Sequence, residues 1–127
     1  MKNSLAKRDG FQKIKNSKMI KIGIIGMSPG NAHPYSWSSI INGKFDGKEI
    51  IKAGYPAVTA YLEANRDTLG ISGARVTTVW TQSEDISKSI AKTAGIENIV
   101  TNPEEMASLV DAVILARDDP EDRKSVV

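Results

Sequence analysis

The stretch MIKIGIIG at 19–26 is β-branched and almost continuously apolar, and it breaks at a glycine into a small, polar, turn-prone loop. A strand with one wet face would alternate apolar with polar residues. An uninterrupted run belongs to a strand covered on both faces, as in a parallel sheet. Similar runs recur as ARVTTVW (74–80), NIV (98–100) and DAVILA (111–116), and helix signals lie between them. Pro34 suits a first helical position, Tyr35, Trp37, Ile40 and Ile41 follow, and Asn42-Gly43 ends the segment. Ser83 is placed to cap a second helix, with Glu84 and Asp85 in its first turn, Ile86, Ile90 and Ala94 as its apolar stripe, and Gly95 as its stop. Asn102-Pro103-Glu104-Glu105 opens a third, with Asn102 capping, Glu105 reaching back, and Met106, Leu109 and Val110 toward the core. Strands alternating with helices predict an α/β fold, a Rossmann-like doubly wound parallel sheet that is incomplete at its C-terminus, with DAVILA as a fourth buried strand. Residues 43–73 are rich in turn signals around Gly47 and Gly54-Tyr55-Pro56, with a short helix at 57–65. They read as an insertion between the first helix and the second strand.

At 127 residues the chain is one domain long. It has no cysteine, which excludes a disulfide framework and a thiolate metal site, and its single histidine, His33, cannot hold zinc without several carboxylate helpers. No apolar stretch approaches the roughly 18 residues of a membrane span, so a cytoplasmic protein is expected. The net charge of +2 is unevenly spread. The first eighteen residues hold six basic side chains against Asp9, whereas residues 19–121 hold nine basic and thirteen acidic ones. The folded body is therefore mildly acidic, which speaks against nucleic acid as a partner.

Both ends differ from the body. Residues 1–18 are polar, basic and weakly periodic, without the apolar core of a secretory signal, and read as a disordered leader or a start assigned upstream of Met19. The last six residues, DRKSVV, can be encoded by GATCGGAAGAGCGTCGTG, the start of a common sequencing-library adapter. Residues 122–127 are accordingly expected to be non-native, with the gene cut after Glu121 and the chain a portion of a longer parent.

Ligands of doubly wound sheets bind beyond the carboxyl ends of the strands, where the strand order reverses. Three stretches fall there. The loop after the first strand offers backbone amides and a helix start suited to an anionic phosphate. Its candidate contacts are Gly26, Met27, Ser28, Gly30, Asn31 and His33, with Gly26 easing the exit turn and Gly30 admitting close backbone approach. Its glycines do not follow the usual G-x-G-x-x-G, since Ser28 and Asn31 occupy the second and third positions. His33 could donate to a phosphate or substrate oxygen, or simply bond backbone ahead of Pro34. Tyr35 and Trp37 read as core or pocket wall. The second stretch is Thr81-Gln82-Ser83, where a carboxylate normally grips the adenosine ribose. Its absence there leans mildly toward NADP over NAD, with Thr81 either a ribose contact or part of the helix cap. The third is Ala116-Arg117-Asp118-Asp119, where Arg117 could meet a phosphate or a carboxylate, or pair locally with aspartate in a solvated turn. No Walker loop and no G-x-S-x-G elbow occurs.

MIKIGIIG with its glycine-bearing loop, NPEEM after a short strand, and DAVILA together resemble the N-terminal NAD(P)-binding domain of Gfo/Idh/MocA-type oxidoreductases. The resemblance spans 19–121 and rests on order and spacing. It implies hydride transfer between NAD or NADP and a hydroxyl carbon of a sugar, inositol or related polyol. Gly26 matches the family's first fingerprint glycine and Thr81 its ribose-contacting position, while Arg117-Asp118 replace the Thr-Pro common there. The family's acid/base lysine, in an E-K-P stretch, and its substrate domain lie beyond this C-terminus. The small-molecule substrate and any homo-oligomer would thus belong to the parent, and the chain alone is expected to show no turnover. The altered glycines keep a second reading open: a non-catalytic Rossmann-like domain binding a sugar nucleotide or another phosphorylated ligand.

Overall fold

A computed structural model describes residues 18–117; the readings of the leader at 1–17 and of the tail at 118–127 lie outside the described residues. The first apolar run forms β1 (Ile20–Ile25). It is followed by α1 (His33–Asn42), α2 (Gly47–Lys52), α3 (Pro56–Ala64) and a 3₁₀ turn at Arg66–Thr68. Then come β2 (Ala74–Trp80), α4 (Glu84–Ala94), β3 (Asn98–Ile99), a 3₁₀ segment (Pro103–Ser108) and β4 (Ala112–Leu115). The four strands are parallel in the order β3-β2-β1-β4. The chain steps from β1 to β2 to β3 in one direction, then crosses back to place β4 on the far side of β1. That reversal is the doubly wound pattern expected from the alternation of strands and helices.

The core lies between the sheet and α1 and α4. Ile24, Val76, Val79, Ile90 and Ala94 are wholly buried there. Val76 and Val79 reach the same face because the β1–β2 register shifts: Ile22 pairs with Val76, but Gly23 pairs with Thr78. An extra residue in β2 thus restores the in–out alternation on the core side. At the lower end of β2, the two-residue β3 stops at Thr78 and leaves Val76 without a neighbour on that edge. The Asn42 amide fills the gap. Its Oδ1 accepts from Val76 N–H at 2.7 Å, and its Nδ2 donates to the carbonyls of Val76 and Ala94, both at 3.0 Å. Gly43 then caps α1 in the left-handed conformation, as the Asn-Gly pair predicts.

The insertion leaves and re-enters the domain at one point, where Gly43 and Gly70 lie back to back. Gly70 and Ile71 donate to the carbonyls of Ile40 and Ile41 at 2.7 and 2.9 Å. Its α2 was not expected from the sequence, where Gly47 reads as a turn. Asp46 starts this helix by accepting from the amides of Lys48 and Glu49, so the D-G-K-E run is a cap rather than a bend. Gly47 sits where an added Cβ would lie 3.0 Å from Thr59 Cγ2, so it lets α3 approach. Ile50 and Leu62 are wholly buried in the same core as the sheet. Each such side chain contributes about 1.5–3 kcal/mol, so the insertion is a docked layer.

Two expectations on the other face of the sheet need correction. The third helix is a 3₁₀ segment of six residues. Met106 is buried, with its sulfur packed where a side chain on Gly23 would stand, but Leu109 is exposed. Glu105 reaches back one residue further than a capping box does, to Thr101 N–H at 3.2 Å, while Asn102 caps Glu105 itself. Among the described residues β4 is an edge strand, with Ile114 toward the core and Val113 and Leu115 exposed. A short 3₁₀ segment centred on Gly23 covers β1 and leaves the second face of β4 bare among the described residues.

Candidate functional site

The loop between β1 and α1 lies at the carboxyl end of the sheet, beside the reversal point between β1 and β4. Gly26 N–H donates to Trp80 O at 3.0 Å, and Ala116 N–H to Ile25 O at 2.7 Å. An added Cβ on Gly26 would stand 2.5 Å from Pro34 Cγ and 3.5 Å from Ala116 O. The first glycine is therefore required by the closeness of the helix start and the β4 end, rather than by a left-handed φ. Gly30 has the opposite reason. Its φ is +79°, and nothing lies within 4 Å of where its Cβ would be. Asn31 N–H closes on Ser28 O at 3.0 Å, and Pro29-Gly30 at the centre of that turn is the type II signature.

Met27 is held from across the sheet. Gln82 Oε1 accepts from Met27 N–H at 2.7 Å and Gln82 Nε2 donates to Met27 O at 2.6 Å. This two-point clamp joins the loop after β1 to the loop after β2. The start of α1 is likewise engaged within the chain: Asn31 Oδ1 accepts from His33 N–H at 3.0 Å, Pro34 has no N–H, and Tyr35 N–H turns to Ala32 O at 2.9 Å. Among the described residues, the amides of Gly30 and Ala32 meet no acceptor.

Comparison of the chain with family models, with curated proteins and with solved structures returned no match. The candidate site is therefore read from its own geometry.

Six of the residues singled out in the sequence, Met27, Ser28 and Gln82 on one side and Gly30, Asn31 and His33 on the other, separate into two clefts that share Pro29. One, of about 390 Å³, is bordered by Met27, Ser28, Gln82 and Asp85, together with Tyr55 and Glu49 from the insertion. The other, of about 660 Å³, runs between α1 and α3 past Gly30, Asn31 and His33. Thr81 enters neither but lines a third cavity, of about 280 Å³, with Gln82 and Glu84. It is buried, its Oγ1 donates to Ser83 O at 2.6 Å and meets Ser87 Oγ at 2.8 Å, and it braces the start of α4. Ser83 caps that helix as expected, accepting from Ile86 N–H at 3.4 Å. Ala116 is buried against Gly26, and Arg117 follows it at the end of β4, half-buried. His33 is exposed, its ring stacked on Trp37 with centroids 4.2 Å apart and planes 12° apart.

Sequence reasoning missed the polar relay behind the smaller cleft. Tyr35 Oη donates to Ser89 Oγ at 2.7 Å, Ser89 Oγ donates to Glu49 Oε2 at 2.7 Å, and Lys92 pairs with Glu49 Oε1 at 3.4 Å. The relay ties α1, α2 and α4 together. The Ser89 hydroxyl, then the Lys92 ammonium, hold the Glu49 carboxyl below the usual carboxylate range against the opposing effect of burial. Burial pushes the Tyr35 phenol above its ordinary value. The missed signal was the Asp46 cap, which makes Glu49 helical and turns it toward α4. Among the described residues no cluster of three potential metal ligands occurs, and no helix is long and apolar enough to cross a membrane.

Proposed function

We propose that this chain is the cofactor-binding portion of an NAD(P)-dependent oxidoreductase acting on a sugar, inositol or related polyol, in line with its resemblance to the Gfo/Idh/MocA type. The observation that carries the reading is Gly26 pressed against Pro34 and the Ala116 carbonyl at the strand-order reversal. A side chain there would collide with Pro34 and drive the start of α1 away from the β1–β4 reversal, beside which a dinucleotide's pyrophosphate lies in sheets of this topology. Among the described residues the amides of Gly30 and Ala32 are donors that meet no acceptor, and Gln82 Nε2 keeps a second N–H beyond the Met27 clamp for a ribose hydroxyl. The carboxylates of Asp85 and Glu84 border the cavities on the two sides of Gln82. Their charge opposes a 2′-phosphate, so the reading favours NAD over the NADP to which the bare 81–83 stretch leans.

One observation favours a second reading. The Met27, Asn31 and His33 amides already have acceptors within the chain, so the loop offers fewer donors than a glycine-rich dinucleotide loop. That suits a single sugar nucleotide or another phosphorylated ligand, with no hydride chemistry. Titrating NADH, NADPH and UDP-glucose separately into the chain by calorimetry distinguishes the readings. Saturable NADH binding, with NADPH about tenfold weaker, supports the first. UDP-glucose binding without either nicotinamide cofactor supports the second, and no binding by any of the three sinks both.

A further inference from the structure

The chain has one Asn-Gly pair, Asn42-Gly43, and the fold closes around it. In an unfolded chain an asparagine followed by glycine is the most prone to deamidate, because glycine has no side chain to shield its amide nitrogen from the asparagine carboxamide. Here the reacting groups are held apart. The carboxamide is turned toward β2 and α4 and is occupied there at both polar atoms, Oδ1 by Val76 N–H and Nδ2 by the Val76 and Ala94 carbonyls. The nucleophile is engaged too, since Gly43 N–H donates to Ser39 O at 2.8 Å. The backbone between them is helical up to Asn42 and left-handed at Gly43. It is pinned by the insertion: Gly70 and Ile71 donate to the carbonyls of Ile40 and Ile41, and Gly70 Cα lies 3.1 Å from where a Gly43 Cβ would stand.

We propose that Asn42 is a latent deamidation site, closed in the folded domain and opened when the last turn of α1 unwinds. Once that turn is loose, the Gly43 nitrogen gives up its proton to solvent base and attacks Asn42 Cγ. The N–Cγ bond forms, the Cγ–Nδ2 bond breaks, and ammonia leaves with a proton, closing a succinimide. Water then opens the ring. Breaking the new N–Cγ bond leaves aspartate. Breaking the older bond, between Gly43 N and the Asn42 carbonyl carbon, leaves isoaspartate, whose backbone is one carbon longer. Both products lack the Nδ2 donors, so the Val76 and Ala94 carbonyls would face a carboxylate. Isoaspartate also shifts Gly43 out of its capping position. The corner therefore closes well on Asn42 and poorly on its products, and a chain modified while open does not regain the original fold. The amide that serves β2 where β3 is too short is thus also the group that records a loosening of the insertion.

The test incubates the full chain at mildly alkaline pH, either folded or in enough urea to unfold it. Conversion at position 42 is followed by peptide mass spectrometry, and isoaspartate is counted by its enzymatic methylation. The rate should be more than about tenfold lower in the folded chain. Gly43→Ala, compared with wild type only in urea so that its own fold does not matter, should react more slowly, because a methyl then shields the attacking nitrogen. After dilution from urea, the deamidated fraction should melt at a lower temperature than unmodified chain taken through the same steps. Equal rates in the folded and unfolded chain, a Gly43→Ala chain as fast as wild type, or a deamidated chain that refolds with unchanged Tm would each overturn the proposal.

Discussion

Gln82 grips the backbone of Met27 at both its N–H and its C=O, at 2.7 and 2.6 Å, across fifty-five residues of sequence. The primary amide can do this because it carries an acceptor and a donor side by side, matching the two polar groups of one residue. The loop after β1 therefore owes its shape to the loop after β2. Gln82→Ala should leave both Met27 groups to water or unpaired, costing about 1–2 kcal/mol and lowering Tm by several degrees in thermal unfolding. Gln82→Glu should do little better, because a carboxylate can accept from Met27 N–H but repels Met27 O. Under the oxidoreductase reading both variants also weaken NADH binding. A Gln82→Ala chain with unchanged Tm would show that the clamp does not hold the loop.

Asn42 makes a second side-chain graft onto backbone, serving Val76 and Ala94 where β3 is too short to do so. Asn42→Leu, close in volume and without polar atoms, should destabilise the domain by about 2–3 kcal/mol through the abandoned Val76 and Ala94 groups. Asn42→Asp keeps the acceptor and loses both donors, so it should fall between wild type and Asn42→Leu. Urea denaturation with an unchanged m-value would read these differences as stability rather than altered compactness.

The strand-and-helix alternation, and with it the sheet, was legible because buried runs such as 19–26 and capped helices such as that at Ser83 are local signals. What escaped was set by partners distant in sequence. β4 has an interior composition but an edge position, and only the placement of the 3₁₀ segment over Gly23 decides which of its faces is covered. Thr81 stands where the resemblance puts a ribose contact, and it lines a small cavity with Gln82 while its hydroxyl bonds Ser83 and Ser87, the latter about one turn into α4. The two clefts were invisible for the same reason. Tyr61 and Glu49 come from an insertion whose packing no periodicity announces.

The Tyr35–Ser89–Glu49 relay predicts a pH signature. Glu49 titrates below its unfolded value. Its contribution to stability is therefore complete above the ordinary glutamate range and is lost as pH falls through the lower folded value. Glu49→Gln should be less stable than wild type at pH 7, and the gap should close in strong acid. Tyr35 is shifted the other way. Its contribution is complete below about pH 10 and is lost as pH rises through the higher folded value. Stability curves of wild type, Glu49→Gln and Tyr35→Phe against pH test both limbs. A constant gap between wild type and Glu49→Gln down to low pH would remove Glu49 from the relay.

Gly26 and Gly30 provide a paired test, because they resist substitution for different reasons. Alanine at 26 would place its Cβ 2.5 Å from Pro34 Cγ, forcing α1 away from the sheet. Overpacking of that kind costs about 1–3 kcal/mol. Alanine at 30 meets open space but must hold φ at +79°, at a cost of about 1–2 kcal/mol. Stability alone would barely separate the two variants; ligand binding should. Gly26→Ala displaces the start of α1 beside the position assigned to the pyrophosphate and should weaken NADH binding by more than about tenfold even where the chain is folded. Gly30→Ala should retain it within about tenfold, since its new methyl points into empty space. Equal losses in the two variants would place the dinucleotide elsewhere on the loop, because Gly26 would then have no steric role particular to the ligand.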